Sequence, residues 1–172
     1  MIDFYQLDPK HVAEPLPSHL QSSCWRPERD GPPGPGSRRV ANHFWWVLSK
    51  VGGFSRSGFA ELRVERDGRV VHRLIVTPRW YRFPFMGPRD LQVGDVWTAP
   101  AARRQQLARA ALGEVQRRFA RDGATIWYVT EADNVASAAL ARACGYRHVA
   151  TGRRTRRLGT ALLGQYLIDR FV

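Results

Sequence analysis

The sequence predicts an α+β domain built on a mixed sheet, and three observations carry that reading. Strand-type and helix-type runs follow in the order strands, then strand-helix-strand-helix-strand-strand. Asp67-Gly68 separates two apolar runs of strand character, which is the pattern of a tight hairpin. A strand-type run, Leu91 to Thr98, passes through Pro100 straight into a long amphipathic segment, marking a strand-to-helix junction.

Along the chain, residues 1–8 read as a first strand, and Pro15 to Ser37 as irregular. The cluster Gly31-Pro32-Pro33-Gly34-Pro35-Gly36 can continue neither a helix nor a central strand, so it is a loop. Ser37 then caps a helix reaching Val51, with Val40, Phe44, Val47, Leu48 and Val51 on one stripe, ended by Gly52-Gly53. Phe59–Glu65 and Val70–Thr77 are the hairpin strands. An aromatic connection, Trp80 to Met86, leads to the Leu91 strand. The helix after Pro100 aligns Leu107, Ala111, Val115 and Phe119, with Ala108 and Leu112 beside them, and stops at Asp122-Gly123. Ala124–Glu131 is a buried-type strand. Asp133 or Asn134 caps a short helix ending at Gly145, and strands at Tyr146–Thr155 and Leu162–Ile168 close the chain.

At 172 residues the chain is expected to be one domain, 1–172, with no motif supporting residues 1–50 and a Pro/Gly-rich loop at 27–37. No apolar run approaches the roughly 18 residues of a membrane span. The start, Met1-Ile2-Asp3-Phe4, lacks the regions of a signal peptide, and Cys24 and Cys144 form neither a disulfide framework nor a metal pattern. A cytoplasmic, reduced protein without membrane insertion or metal is the expectation. The formal charge of +12 favours anionic partners, although only Lys10 and Lys50 among the 27 basic residues are lysine, which is also a coding bias towards arginine.

The junction at Thr98–Arg109 carries the most chemistry. A strand delivering a helix N-terminus brings unpaired N–H groups and the positive end of the helix dipole to one point, which suits a pyrophosphate. The strand-Pro-x-x-Arg-helix pattern resembles motif A of the GNAT N-acetyltransferases. A second signature follows in order: Asn134-Val135-Ala136-Ser137, then Leu140, then Cys144-Gly145-Tyr146. His72, the run Phe83 to Met86 and Gly94…Thr98-x-Pro100 are loosely similar to members from bacterial surface-polysaccharide and amino-sugar pathways.

The resemblance implies a mixed, largely antiparallel central sheet with helices on both faces. It also implies acetyl-CoA as the acyl donor and direct ternary-complex transfer to a small-molecule amine, an amino sugar among the options. The backbone of Val96, Trp97 and Thr98 would pair with the pantetheine. The N–H groups from Arg104 through Gln105, Gln106, Leu107 and Ala108 to Arg109 would cradle the pyrophosphate beside Arg103. Asn134 would bond the pantetheine arm, with Ser137 nearby; Asn134 is equally a helix cap.

Three departures bear on activity. Gln106, and often Arg104, stand where the family has glycine; Ala141 replaces its frequent general-acid tyrosine; Val129 replaces a carboxylate some members use as base. Acid and base therefore have to be sought afresh. Glu131, Asp95 and His72 are the base candidates, against plainer roles as dipole partner, ion pair and packing group. Tyr146 is a core residue or a hydroxyl on the thiolate side. Trp80, Tyr81, Phe83 and Phe85 either stack on an acceptor or form a hydrophobic cluster of their own. Helix propensity suggests that Gln106→Gly would slightly lower stability. The alternatives are a degenerate, non-catalytic interaction module and, less favoured, a nucleic-acid-binding protein; a homodimer stays open.

Overall fold

The computed structural model describes residues 1–33, 39–55, 58–120, 123–157 and 164–172. Among them lie eight strands: β1 (Ile2–Leu7), β2 (Gln21–Trp25), β3 (Ala60–Arg66), β4 (Arg69–Pro78), β5 (Leu91–Thr98), β6 (Ile126–Glu131), β7 (Tyr146–Arg154) and β8 (Tyr166–Phe171). The helices are α1 (Pro27–Asp30), α2 (Arg39–Lys50), α3 (Leu107–Phe119) and α4 (Val135–Ala143). One sheet takes all the strands, in the order β2-β3-β4-β5-β6-β1-β7-β8. Every pairing is antiparallel except β5 with β6. The hairpin turn falls at Asp67 and Gly68, both at positive φ (52° and 70°), as a two-residue turn of the primed kind requires.

Alternation along the strands divides the core in two. Ala60, Leu62, Val64, Leu74, Val76, Leu91 and Val93 face α3 and α4, meeting Leu107, Ala111, Leu112, Val115, Ala138 and Ala141. The other face carries Ile2, Phe4, Trp127 and Ala150 under Phe83 and Met86 from the β4–β5 connection. Helix α2 lies on that second face: the Asn42 amide donates to the buried Glu61 carboxylate, which also pairs with Arg63 at 3.0 Å. Trp45 stacks on Phe59, centroids 5.1 Å apart, and meets Trp80 edge-on at 5.3 Å. Helices therefore cover both faces.

Several expectations change. The segment from Pro15 to Ser37 contains β2 and the single turn α1. Gln21–Trp25 has no apolar alternation; it becomes a strand because β3 offers it an edge. The last strand begins at Tyr166 and reaches Phe171, displaced from the Leu162–Ile168 assignment. The apolar stripe of α2 turns outward: Val40 is 88% exposed, Val51 71%, Phe44 52% and Val47 49%. Hydropathy marks the stripe, but the buried carboxylate of Glu61 and the aromatic pocket around Phe59 dictate which side faces in. The Ser37 cap, the Asp122 stop and Leu162 lie outside the described residues.

Strand β1 sits between β6 and β7, and its Phe4 and Tyr5 are wholly buried. To reach β2 at the far edge, residues 8–20 cross the outer side of α3. Glu14 pairs with Arg109 at 2.5 Å, while Arg117 and Gln116 donate to the carbonyls of Glu14 and His11. The first 25 residues, without a motif of their own, thus supply two strands of the common sheet.

Candidate active site

Strands β5 and β6 pair only over Leu91–Ile126, Gln92–Trp127 and Val93–Tyr128. Past Val93, β5 stays with β4, where Trp97 and Thr98 pair with Arg73 and His72 across a register shift. Asp95 marks that bulge with φ of 49°, and a bulge bends its strand away from the regular ladder. The edge of Gly94–Thr98 turned towards β6 is consequently left without a strand partner. A cavity of about 280 Å³ opens in the gap, lined by Asp95, Val96, Glu131, Asn134, Ser137, Tyr128 and Tyr166 among others. Two carboxylates, an amide and three hydroxyls thus meet around one cleft, and of these Asp95, Glu131, Asn134 and Ser137 were named from the sequence.

A second cavity, about 510 Å³, lies farther along β5 and α4, between Thr98 and Leu140. Arg103, Arg104, Gln106, Leu107, Ala108 and Arg109 line it. No side chain caps α3, and the first backbone bond runs from Ala110 N–H to Gln106 at 3.0 Å. The N–H groups of Leu107, Ala108 and Arg109 are therefore the unpaired donors of a helix start, where the dipole adds positive potential. Gln105 reaches outward to Arg66 at 2.8 Å.

The turn before α3 is left-handed at two places, Arg104 (φ 64°) and Gln106 (φ 56°). That conformation costs an L residue roughly 1–2 kcal/mol and glycine almost nothing. Gln106 precedes the helix instead of lying inside it, so the propensity argument does not apply. We expect Gln106→Gly to raise the melting temperature, by a net gain of roughly 0.5 kcal/mol once glycine's unfolded-state entropy is subtracted. A lower midpoint in scanning calorimetry would show that the glutamine side chain itself holds the turn.

Helix α4 begins at Asn134, whose Oδ1 accepts from the Ser137 N–H at 3.0 Å. This uses the carbonyl side of the amide and leaves its Nδ2 as a donor at the cleft. Ser137 Oγ shares a 2.8 Å hydrogen bond with the Tyr128 hydroxyl. Burial raises the Tyr128 pKa above its ordinary value, partly offset by that bond. Tyr128 was legible in the sequence only as a strand residue. Its strand alternation with Trp127, which faces the other core, was the available signal.

Four expected site groups have their side chains elsewhere. His72 is enclosed on the α3 side of the sheet, its Nδ1 2.8 Å from Thr98 Oγ1. Burial, with Arg73 adding to it, lowers its pKa to about 4. Its folded pKa lies below the unfolded value near 6.5, so the stability it contributes is complete above pH 6.5 and lost as pH falls towards 4. The loss is about 3 kcal/mol; urea midpoints at pH 7 and pH 4.5 measure it, and His72→Gln should reduce the difference. Tyr146 is buried against Tyr128, ring centroids 5.7 Å apart, its hydroxyl without a partner. The Trp97 side chain lies on the far face beneath the Arg73 guanidinium at 4.4 Å, while its backbone, the part expected to pair with the pantetheine, stays on the open β5 edge. Phe83 and Phe85 pack into the second core with Trp80 beside them, and Tyr81 alone of that group is exposed.

A sequence profile of the Acetyltransferase (GNAT) family matches residues 19–146. The chain belongs to that family. No curated protein matches it. Among solved structures, a GCN5-related N-acetyltransferase-like protein from Streptococcus suis superimposes with a TM-score of 0.57 at 15% identity, over 86% of this chain and 57% of that one. A GNAT-family acetyltransferase from Colwellia psychrerythraea gives 0.55 at 16%, over 86% and 52%. A Drosophila protein gives 0.55 at 19%, over 86% and 47%. These likenesses show the fold, and the chain spans about half the length of those proteins. The GNAT fold serves acyl transfer, and the family generally uses acetyl-CoA. The uncapped α3 start with its three arginines suits a pyrophosphate, and the open β5 edge suits an amide-bearing arm. Among the described residues no helix is long and apolar enough to cross a membrane, and no cluster of metal-ligating side chains occurs.

Proposed function

We propose that this chain is an N-acetyltransferase acting by direct ternary-complex transfer from acetyl-CoA to a small-molecule amine. The observation that carries the reading is a pair of neighbouring cavities along β5 and α4, one at an uncapped helix start and the other at an unpaired strand edge with Tyr128, Glu131 and Asp95 beside it. Acetyl-CoA supplies an activated acetyl thioester when bound. The N–H groups of Leu107, Ala108 and Arg109 hold phosphate, helped by Arg103 and Arg104. The β5 backbone beyond Val93 and the Asn134 amide align the arm, and a β5 N–H polarises the reacting carbonyl.

Glu131 and Asp95 are both exposed at the cleft. Either takes a proton from the acceptor ammonium and passes it to solvent, leaving the neutral amine that attacks. Tyr128, kept protonated by burial, donates to the departing sulfur, and the second proton, released from nitrogen as the amide forms, restores its hydroxyl. His72 and Tyr146 do not line the cleft and have no part in this sequence of steps.

Calorimetric titration with acetyl-CoA tests the reading, using Asn134→Asp as the informative variant. Aspartate keeps the cap oxygen and its roughly 1 kcal/mol but loses the Nδ2 donor. We expect an unchanged melting temperature and acetyl-CoA binding at least tenfold weaker. Retained affinity would leave Asn134 as a cap alone. Absence of binding by the unaltered protein would favour a non-catalytic interaction module.

A further inference from the structure

Among the described residues seven arginines meet a carboxylate, including Arg63 with Glu61, Arg109 with Glu14, Arg117 and Arg118 with Glu114, and Arg153 with Asp169. Arg82 and Arg154 do not. Both guanidiniums lie over the ring of Tyr166, at 5.6 and 5.4 Å from its centroid. Among the described residues neither makes an ion pair, and the Nε of each is sealed from solvent without a hydrogen-bond partner.

The backbone fixes this arrangement. Arg154 and Tyr166 are register partners across β7 and β8. The Tyr166 N–H donates to the Arg82 carbonyl at 2.9 Å, tying the β4–β5 connection to the same point. Phe83 closes the ring from beside it, centroids 5.4 Å apart. Burial lowers the Arg82 pKa, and the charge of Arg154 lowers it further, against a favourable pull from Tyr166. Two like charges are thus held together, half-buried, on one aromatic ring, with no anion from the described residues between them. Such a pair is unfavourable unless an anion is gained there.

Tyr166 is also a wall of the cavity that holds Glu131 and Asp95. We propose that Arg82 and Arg154 bind an anionic group, carboxylate or phosphate, on the acceptor, so that the substrate is a small amine carrying its own negative charge. The guanidiniums anchor the anion over the ring, and a short tether brings the amine past Tyr166 into the cleft. Arg157, which donates to the Tyr81 hydroxyl at 3.0 Å, extends the positive potential at the exposed aromatic side chain. This inference rests on the acetyl-transfer reading of the same cleft.

The experiment is a calorimetric titration of matched probes: glycine against glycinamide, phenylalanine against its carboxamide, and phosphoethanolamine against ethanolamine. Acetyl-CoA is titrated separately in the same preparations. We expect the anionic member of at least one pair to bind ten times more tightly or better, and the favoured pair tells carboxylate from phosphate. Arg82→Gln and Arg154→Gln should each erase the preference while acetyl-CoA affinity stays within twofold. Arg154→Lys, which keeps the charge, should retain part of it and guards against misfolding as the cause. Equal binding within every pair, a preference surviving both glutamine variants, or no probe binding overturns the proposal, and acetyl-CoA binding then leaves the transferase reading standing. An anion preference without acetyl-CoA binding supports the anion site and removes the transferase reading.

Discussion

Tyr128→Phe is expected to lower kcat by about a hundredfold, the lower range for loss of a positioned general acid. The KM for acetyl-CoA should stay within twofold, because the ring and its packing remain. Tyr128 comes from β6 at the point where β5 leaves it, so its hydroxyl reaches the cleft while only 3% of the residue is exposed. Burial raises its pKa, and the Ser137 hydrogen bond offsets this in part without reversing it. The hydroxyl therefore stays protonated through neutral and mildly alkaline pH and can give its proton to sulfur as the thioester breaks. Ser137→Ala should be much milder, since it removes a partner and leaves the donor. Stability should fall by only about 1 kcal/mol in either variant, the net value of one hydrogen bond. A Phe variant with unimpaired kcat would reduce Tyr128 to a packing partner of Tyr146.

What the sequence made legible was local. Asp67-Gly68 names its own turn, Asp133-Asn134 offers the cap that Asn134 supplies, and the Thr98–Leu107 junction marks its own helix start, because each depends on a few adjacent residues. The place of β1 between β6 and β7 depends on pairings more than 120 residues apart, and no short-range pattern encodes it. Strand β2 was hidden for a related reason: QSSCW has little intrinsic strand signal and is ordered by its neighbour. Helix α2 was located correctly, yet its inward side was not, since the deciding contacts are a polar one, Asn42 with Glu61, and an aromatic one, Trp45 with Phe59.

The site divides in the same way. Gln106 and Arg104 were identifiable as departures from a glycine pattern, but only backbone angles explain why glycine suits those positions. Asp95 and Glu131 lie 36 residues apart in sequence, and they share a cleft because the bulge at Asp95 opens the sheet beside Glu131. Arg82 and Arg154 could not be singled out among so many arginines. Their distinction is the single tyrosine ring they share with no carboxylate partner among the described residues, visible only in the folded chain.

Gly152→Ala is expected to be the most destabilising of these changes, costing about 3 kcal/mol or more as backbone overpacking. Gly152 sits at the register shift between β7 and β8. A Cβ there would overlap the Leu167 carbonyl oxygen and stand 2.9 Å from its carbon and 3.0 Å from Ile168 Cα. All three are backbone atoms, so relief requires β8 to move off β7. Gly145→Ala differs in part: its Cβ meets the His11 ring, which a rotation could move, but also His11 Cβ at 2.6 Å, and a φ of 78° adds strain. That variant should cost about 2 kcal/mol, from left-handed strain and a small shift of residues 8–11. Displacing β8 would also carry Tyr166 away from Arg82 and Arg154, while α3, α4 and the β5 edge keep their places. In Gly152→Ala we therefore expect a large drop in urea midpoint and accelerated amide exchange across Tyr166–Phe171. Acetyl-CoA affinity should change little at temperatures where the variant stays folded, and the preference for anionic amines should disappear. Unaltered exchange in β8 would mean that the strand accommodates the methyl group and that Tyr166 is held chiefly by its bond to Arg82.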